Sequence, residues 1–520
     1  MLAGEIELGR FGRHQLAAMV EHDRVRTCSY PGVEILVDEN GVPIGNAAAP
    51  ENTANFLWRR HYVVPGQFET YLPGDGRQNF TVRRNGKTYH NTWVDSNVAQ
   101  GDIRRTIDSA QLVARSAFFD SKLMFTGGVR SDRVRFDQTG STRLSANNPD
   151  VLAGRAVMNQ LRYTSSIETT TIYQPVTSTL GAVAHVTPWL SAFYNRADNN
   201  SQPSGNTRIL PDETLPPPPG GAGQDYGVML NLLDGRLFVR ATAFRTVQTK
   251  AGSFNIRGGD GDIVAPTQRI LDTLLANNRI TTSDYTNHLL GDSGSNLVGL
   301  GDTIVNGFET SAWLNLTRNL TAMLNFSHTK VDRSRIVPEF EGWFERESAF
   351  WHRTPGAGGL VNPVSNSTVD EEAAQMKTNI KDLRDLNNIS LGERPYKANV
   401  SGRYTFMSGM FKGIFVGGGA RWQSKAKLGR QVLGRNAKGS AIYGETYYGP
   451  DDFKVDGFVG YRRKMVVGRI RPELTLQLNV TNLTDEDSVA PLRYNADKSG
   501  YRRVMLFEPR KVRLTAGFEF

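Results

Sequence analysis

Two clusters in this chain carry side chains able to grip a small molecule. Trp343, Phe344, Arg346, Trp351, His352 and Arg353 fall within eleven residues, and Tyr443, Tyr447 and Tyr448 within six. Aromatic faces stack on planar groups, and guanidinium groups bind anions through paired, charge-assisted hydrogen bonds. Together they suit a ligand that is anionic, aromatic or both. The plainer use is local, since long loops need hydrophobic anchors of their own, and each of these residues also fits that role. Catalytic chemistry has less support: there is no Walker loop, no His-Glu-x-x-His and no Gly-x-Ser-x-Gly elbow. Cys28 is the only cysteine, which excludes an internal disulfide and a thiolate metal cluster. The eight histidines are scattered, and Gly258-Gly259-Asp260-Gly261-Asp262 resembles one copy of a calcium-binding repeat, which alone reads as a turn. The expectation is therefore a binding protein: no enzyme, no cofactor, no metal site.

The elements that must position these clusters are strands. The last ten residues, KVRLTAGFEF, alternate throughout: Val512, Leu514, Ala516, Phe518 and Phe520 take one face, with Lys511, Arg513, Thr515 and Glu519 on the other. Leu474, Leu476, Leu478 and Val480 oppose Thr475, Gln477, Asn479 and Thr481. Ala398, Val400, Gly402, Tyr404 and Phe406 oppose Lys397, Asn399, Ser401, Arg403 and Thr405. Ala322, Leu324 and Phe326 oppose Thr321, Asn325 and Ser327, with Met323 a blemish, and the segment from Leu237 to Phe244 alternates less cleanly. No helical segment is evident to cover these apolar faces. The whole pattern predicts fifteen strands, near residues 2–9, 14–26, 108–118, 123–136, 172–187, 190–198, 224–232, 237–248, 305–317, 320–330, 395–406, 414–424, 452–463, 471–482 and 507–520.

Short turns and long connections alternate between those strands. The long ones, near 27–107, 137–170, 199–223, 249–304, 331–393, 425–450 and 483–506, are rich in Gly, Asn, Asp, Ser and Pro. Connections beyond about 15 residues are uncommon in compact soluble domains. A meander with one short-looped rim and one long-looped rim accounts for all seven. With 39% hydrophobic residues and no run of eighteen apolar ones, a helical membrane protein is excluded, but a transmembrane barrel needs only every second strand residue apolar. The charge of +9, from 61 basic and 52 acidic residues, is spread without a compact basic block, so no nucleic-acid partner is expected.

Single-chain bacterial barrels have even strand numbers, and fifteen is odd. The opening MLAGEIELGRFGRHQLAAMV already reads as strand, turn, strand and has no signal-peptide layout. Both features lead to the expectation that upstream strands are missing.

The carboxy-terminal residues resemble a known family. Val305-Asn306-Gly307-Phe308-Glu309 opens a strand, Val455-Asp456-Gly457-Phe458-Val459-Gly460-Tyr461-Arg462 follows a second pattern, and Leu476-Gln477-Leu478-Asn479-Val480-Thr481-Asn482-Leu483-Thr484-Asp485 a third. In this order, before a strand ending on Phe520, they resemble the barrel of a TonB-dependent outer-membrane receptor, with Thr484 in place of the usual Phe. The resemblance implies an all-β, antiparallel transmembrane β-barrel with long extracellular loops, incomplete at about fifteen of 22 strands. Residues 1–520 would form one partial barrel domain without the family's plug or a signal peptide. It further implies uptake of a metal chelate such as a ferric siderophore, or of another scarce nutrient. The implied surroundings are outer-membrane lipid and lipopolysaccharide. The outer-membrane assembly machinery would read Phe520, and a TonB complex would be reached only through the missing N-terminal region. Gly307, Glu309, Asn482 and Asp485 are the barrel-motif positions. Glu309 is expected to point inward and pair with an Arg, whereas Asn482 and Asp485 fix the departure of a loop. Trp189, Trp313, Tyr404 and Tyr461 are expected in the aromatic girdles facing the headgroups. Two other readings are a passive porin-like channel and a secreted carbohydrate-binding or adhesive β-protein.

Overall fold

A computed structural model describes residues 1–29, 32–57, 81–95, 101–200, 208–212, 214–251, 254–257, 261–290, 296–387, 391–435, 441–465, 470–486, 489–494, 500–506 and 508–519. The chain divides into two compact units: Ala18–Gln111 with Arg130–Val176 (and Met1), and Leu2–Ala17 with Leu112–Val129 and Thr177–Phe520.

Fifteen strands follow one another in a single meander. The first eight are β1 (Leu2–Glu7), β2 (Arg13–Ser29), β3 (Gly101–Phe118), β4 (Leu123–Arg143), β5 (Val176–Thr187), β6 (Leu190–Asn200), β7 (Gly220–Leu232) and β8 (Leu237–Thr249). The others are β9 (Asp302–Leu314), β10 (Leu320–Ser334), β11 (Tyr396–Thr405), β12 (Ile414–Gln423), β13 (Asp452–Lys464), β14 (Glu473–Thr481) and β15 (Lys511–Glu519). Spatial order equals chain order from β1 to β15, and from β5 onward every neighbouring pair is antiparallel. These are the strands that the alternation predicts, with three changes: β3 begins at 101 rather than 108, β4 runs on to 143 rather than 136, and the segment read as 172–187 is broken at Pro175, which has no N–H for the ladder. Residues 161–173 instead form a strand of their own that pairs antiparallel with the end of β4, a sixteenth strand of the same sheet lying off the meander. β1 and β15 stand at the two ends of the order, and every residue of each is exposed.

The register sorts side chains into rows. Leu190, Leu230, Val239, Ala312, Leu324, Val400, Ala420 and Val455 are successive partners across eight strands, an unbroken apolar row. A second runs through Leu320, Tyr404, Val416, Val459, Leu478 and Leu514. Much of this face is bare: Val400 is 49% and Leu514 73% exposed. The opposite face carries Arg240, Ser311, Asn325, Asn399, Arg421 and Lys454 in one row, and Thr242, Glu309, Ser327, Lys397, Gln423 and Asp452 in the next. Trp313 belongs to this polar face, between Phe238 and Met323, which overturns its expected place in a headgroup girdle. Tyr404 and Tyr461 lie on the apolar face, with Val416 and Ile414 as their respective partners.

Aromatics on the polar face have a specific use. Phe193 is the direct cross-strand partner of Gly227, Phe244 of Gly307, Phe458 of Gly417 and Phe415 of Gly460. At Gly460 the Phe415 ring occupies the space where a Cβ would stand, whereas at Gly227, Gly307 and Gly417 a Cβ would meet both the ring and a backbone carbonyl oxygen of a neighbouring strand. Arg240 stacks over the Phe193 ring at 4.6 Å and Arg403 over Phe415 at 4.1 Å. Gly460→Val is expected to push Phe415 aside and destabilise the ladder by about 1–3 kcal/mol. Chemical denaturation of this variant, of Phe415→Ala and of the double variant Gly460→Val/Phe415→Ala checks this, because the double variant should lose less than the two single variants together.

Among the described residues, two of the long connections carry helices of more than one turn, contrary to the reading that no helix is available. Residues 250–301 contain α1 (Val264–Ala276) and α2 (Thr282–His288), and residues 335–395 contain α3 (Glu339–Trp351) and α4 (Val369–Asn387). Val369, Ala373, Met376, Ile380 and Leu383 form one buried stripe of α4, packed with Ile270, Leu271 and Leu274 of α1. Arg269 and buried Glu372 tie these two helices together through a bidentate pair at 2.9 and 2.7 Å. A Thr281–Asp284 capping box starts α2. Two further connections are hairpins, Lys427–Arg435 with Ala441–Tyr448 and Val489–Tyr494 with Tyr501–Leu506.

The first unit holds a small antiparallel sheet of Gly32–Asp38, Lys87–Asp95 and Thr81–Arg84. Its buried Glu51 receives two hydrogen bonds from Arg143, at 2.7 and 3.2 Å.

Candidate functional site

The helical lobe places the first cluster, and it places the tryptophans inside. Trp343 is 3% exposed and Trp351 fully buried, their rings edge to face at 6.2 Å, with Phe344 edge-on to Trp351 at 5.8 Å. The expectation that Trp343 and Trp351 offer their faces to a ligand is thereby overturned: they form the core on which α3 packs. Arg353 is also engaged. Its Nη2 donates to Asp284 Oδ2 at 2.6 Å, and its guanidinium lies 4.5 Å from the centre of the Phe350 ring. Phe350 in turn stacks on His288 at 3.6 Å, and His288 meets Glu347 at 2.9 Å. Positions 347, 350 and 353 thus clamp 284 and 288 of α2. Arg353, and then the Thr281 backbone N–H, hold the Asp284 carboxyl well below its ordinary range.

His352 donates Nε2–H to Asp370 Oδ1 at 2.8 Å and Nδ1–H to the Ser348 carbonyl at 2.7 Å. Both partners only accept, so the contacts call for the imidazolium, and its pKa is raised, first by Asp370 and then by Ser348. A raised histidine pKa stabilises the fold fully below its unfolded value, about 6.5, and loses that contribution as pH climbs through the folded value. The contact is partly exposed, so His352→Gln is expected to cost at most about 1 kcal/mol at pH 6 and almost nothing at pH 8.5. Hydrogen exchange of the first turn of α4, corrected for intrinsic rates, checks this; equal losses at both pH values would contradict it.

Of that cluster, Arg346 remains outward: it is exposed and donates one bond, to the Gly342 carbonyl at 3.1 Å. Tyr447 and Tyr448 lie on the hairpin of residues 427–448, with Tyr448 half exposed; the side chain of Tyr443 lies outside the described residues. Glu309 faces the polar side but makes no ion pair among the described residues, so its expected Arg partner is not found there. Asn482, at φ 55°, accepts from Glu486 N at 2.9 Å, donates from its side chain to the Glu486 and Glu508 carbonyls, and donates its backbone N–H to Asp456 Oδ1 at 2.9 Å. Asp485 pairs with Arg510 at 3.2 Å. Phe520, Gly258, Gly259 and Asp260 lie outside the described residues.

A second site escapes sequence reading. On the polar face of β10–β14, a hollow of about 470 Å³ opens over Gly419. Gly417, two residues away, is covered by Phe458, but no ring covers Gly419, whose cross-strand neighbours are Ser401 and Asp456. Asn325, Asn399 and Arg421 line the hollow in one row, Asn479 and Phe458 in another. Arg421 Nη2 donates to Asp456 Oδ2 at 2.8 Å. The side chains of Asn325, Asn399 and Ser401 have no hydrogen-bond partner among the described residues. The alternation shows all these residues on a polar face, but only the register brings them together.

Among the described residues, no group of His, Cys, Asp and Glu could hold a metal ion, and no helix is long and apolar enough to cross a membrane. No protein-family profile and no curated protein sequence matches the chain. Solved structures do match. The ferric-catecholate import receptor Fiu of E. coli K12 aligns over 99% of this chain at 17% identity and a TM-score of 0.51. The outer-membrane receptor FpvA of Pseudomonas aeruginosa PAO1, bound to pyoverdine, aligns over 100% at 14% and 0.52. The ferric preacinetobactin receptor BauA of Acinetobacter baumannii aligns over 100% at 12% and 0.50. The chain covers 53%, 52% and 53% of these three, so it spans about half their length. At such identities the likeness is one of fold: this is a largely antiparallel β-sheet protein whose fold is similar to part of these receptors.

Proposed function

We propose that the chain supplies wall and external loops to a TonB-dependent outer-membrane receptor that takes up a metal chelate such as a ferric siderophore, or another scarce nutrient. One observation carries the reading: an unbroken apolar row, from Leu190 to Val455 across eight strands, backed by rows of Arg, Asn, Ser and Lys. A bare apolar surface of this extent is foreign to a soluble monomer, which seldom shows a patch above a few hundred Å². In a bilayer that face meets lipid and the opposite one meets water. The protein performs no covalent chemistry in this reading. Ligand capture belongs to the long connections, with Arg346, Tyr447 and Tyr448 the candidates that remain outward or partly so. Coupling to the TonB complex belongs to the family's plug.

The test is energised uptake of a radiolabelled ferric catecholate and a ferric hydroxamate by cells with and without the gene of the intact protein. Loss of accumulation of either chelate in the deletion strain is expected. Unchanged accumulation of both would reject the chelate reading, and recovery of the protein outside the outer-membrane fraction would reject the location.

A further inference from the structure

We propose that residues 335–339 form a strained junction latched by Arg384, and that a movement of α4 releases it and frees the chain entering β9. The junction joins β10 to α3. Arg335 stands at φ 49° and Val337 at φ 51°, both in the left-handed region. A Cβ there crowds the following carbonyl oxygen, and a β-branched residue such as Val337 is a true outlier. Val337 is fully buried, and Ile336 beside it is buried too. Such strain persists only where the surroundings over-determine it, and it gathers at segments that switch.

Here the constraint comes from two sides. From α4, Arg384 donates Nε–H to the Ile336 carbonyl at 2.8 Å and Nη2–H to the Val337 carbonyl at 2.9 Å. Its Nη1 donates to Glu341 Oε1 in the first turn of α3, at 2.8 Å. One partly exposed guanidinium therefore holds the whole junction with charge-assisted bonds. From the other side, the Val337 N–H donates to the Leu300 carbonyl at 2.6 Å, and Glu339 Oε1 accepts the Leu300 N–H at 2.6 Å. The Val337 side chain fills the space over Gly299. Leu300 lies just before β9, so the hold of α4 on Val337 is passed to the start of a ladder strand. Arg335 marks the outer end of the junction. It pairs at 3.7 Å with Asp302, the first residue of β9, and buried Asp302 also accepts the Lys250 N–H at 3.0 Å. These contacts make a two-state element with a single release point, which is what coupling between a helix and a strand requires.

The test is amide hydrogen exchange of the full chain in detergent micelles, corrected for intrinsic rates. Arg384→Met is expected to raise exchange at Leu300 and Val337 roughly tenfold or more, while the last turn of α3 keeps its wild-type rates. An equal rise throughout α3 and α4 overturns the proposal, because Arg384 would then staple the whole lobe and latch nothing. Arg335→Gly and Arg335→Ala separate strain from charge. Both remove the pair with Asp302, but only glycine takes φ 49° without a Cβ. The glycine variant is expected to exchange roughly threefold to tenfold more slowly at Leu300 and Val337 than the alanine variant. Equal rates, or slower exchange in the alanine variant, mean that no strain is stored there and overturn the proposal. The Arg335 side chain is exposed, so these two variants keep the test open should Arg384→Met fail to fold. Neither outcome bears on the uptake reading, which rests on the ladder.

Discussion

Leu476→Arg is expected to cost about 2–4 kcal/mol of folding stability in lipid vesicles if the position lies near the bilayer midplane, and less toward a rim. Leu476 pairs with Tyr461 and Ala516 on the bare apolar face, and is itself 38% exposed with no second layer over it. Gln477, one residue on, points to the polar face, where its Nε2 donates to Asn479 at 2.6 Å. Gln477→Arg should therefore cost well under half as much. Denaturant titration of the chain folded into vesicles measures both. Equal penalties, or a larger one at Gln477, would mean that the apolar face does not meet lipid.

Trp351→Ala is expected to remove about 3–5 kcal/mol from the helical lobe, the range for truncating a buried aromatic in a packed core. Trp351 is fully buried against Trp343 and Phe344. That loss corresponds to a roughly 10²–10³-fold or greater rise in amide exchange in α1, α3 and α4. Amides of β11–β15 should keep wild-type protection, because no ladder strand contributes to this cluster. A uniform rise across lobe and ladder would show that the two do not open separately. By contrast, Arg346→Ala should leave exchange in the lobe unchanged, since Arg346 is exposed and bonded only to its own helix.

The ladder was legible because its signal is local. A period of two needs no knowledge of neighbours, so each strand announces itself, down to Lys511–Glu519. The lobe was missed for a different reason. Val369, Ala373, Met376, Ile380 and Leu383 carry a helical period in the sequence, and Thr281 with Asp284 a cap. Those signals sit between stretches rich in Gly, Asn and Pro, which drew the whole connection into one irregular loop. Trp343 and Trp351 could not be assigned by residue type, because an aromatic that anchors a core and one that grips a ligand look the same before burial is known. The hollow was illegible for want of register: Asn325, Asn399, Ser401 and Asp456 become neighbours only when β10–β13 are aligned. Met323 and Phe238, irregular in their own strands, make sense only as row-mates of Trp313.

The four Phe–Gly partners across the ladder have a consequence for how this sequence can vary. In Phe415–Gly460 the ring alone fills the volume that the glycine lacks, whereas in Phe193–Gly227, Phe244–Gly307 and Phe458–Gly417 a backbone carbonyl oxygen also stands in it. In the first of these, enlarging the glycine alone evicts the ring, and shrinking the ring alone bares a patch of backbone. That pair is thus the heritable unit. Among diverged copies of this chain, Phe415 and Gly460 should change in concert, including outright exchange of the ring from one strand to the other, while Gly227, Gly307 and Gly417 should stay glycine whatever their partners become.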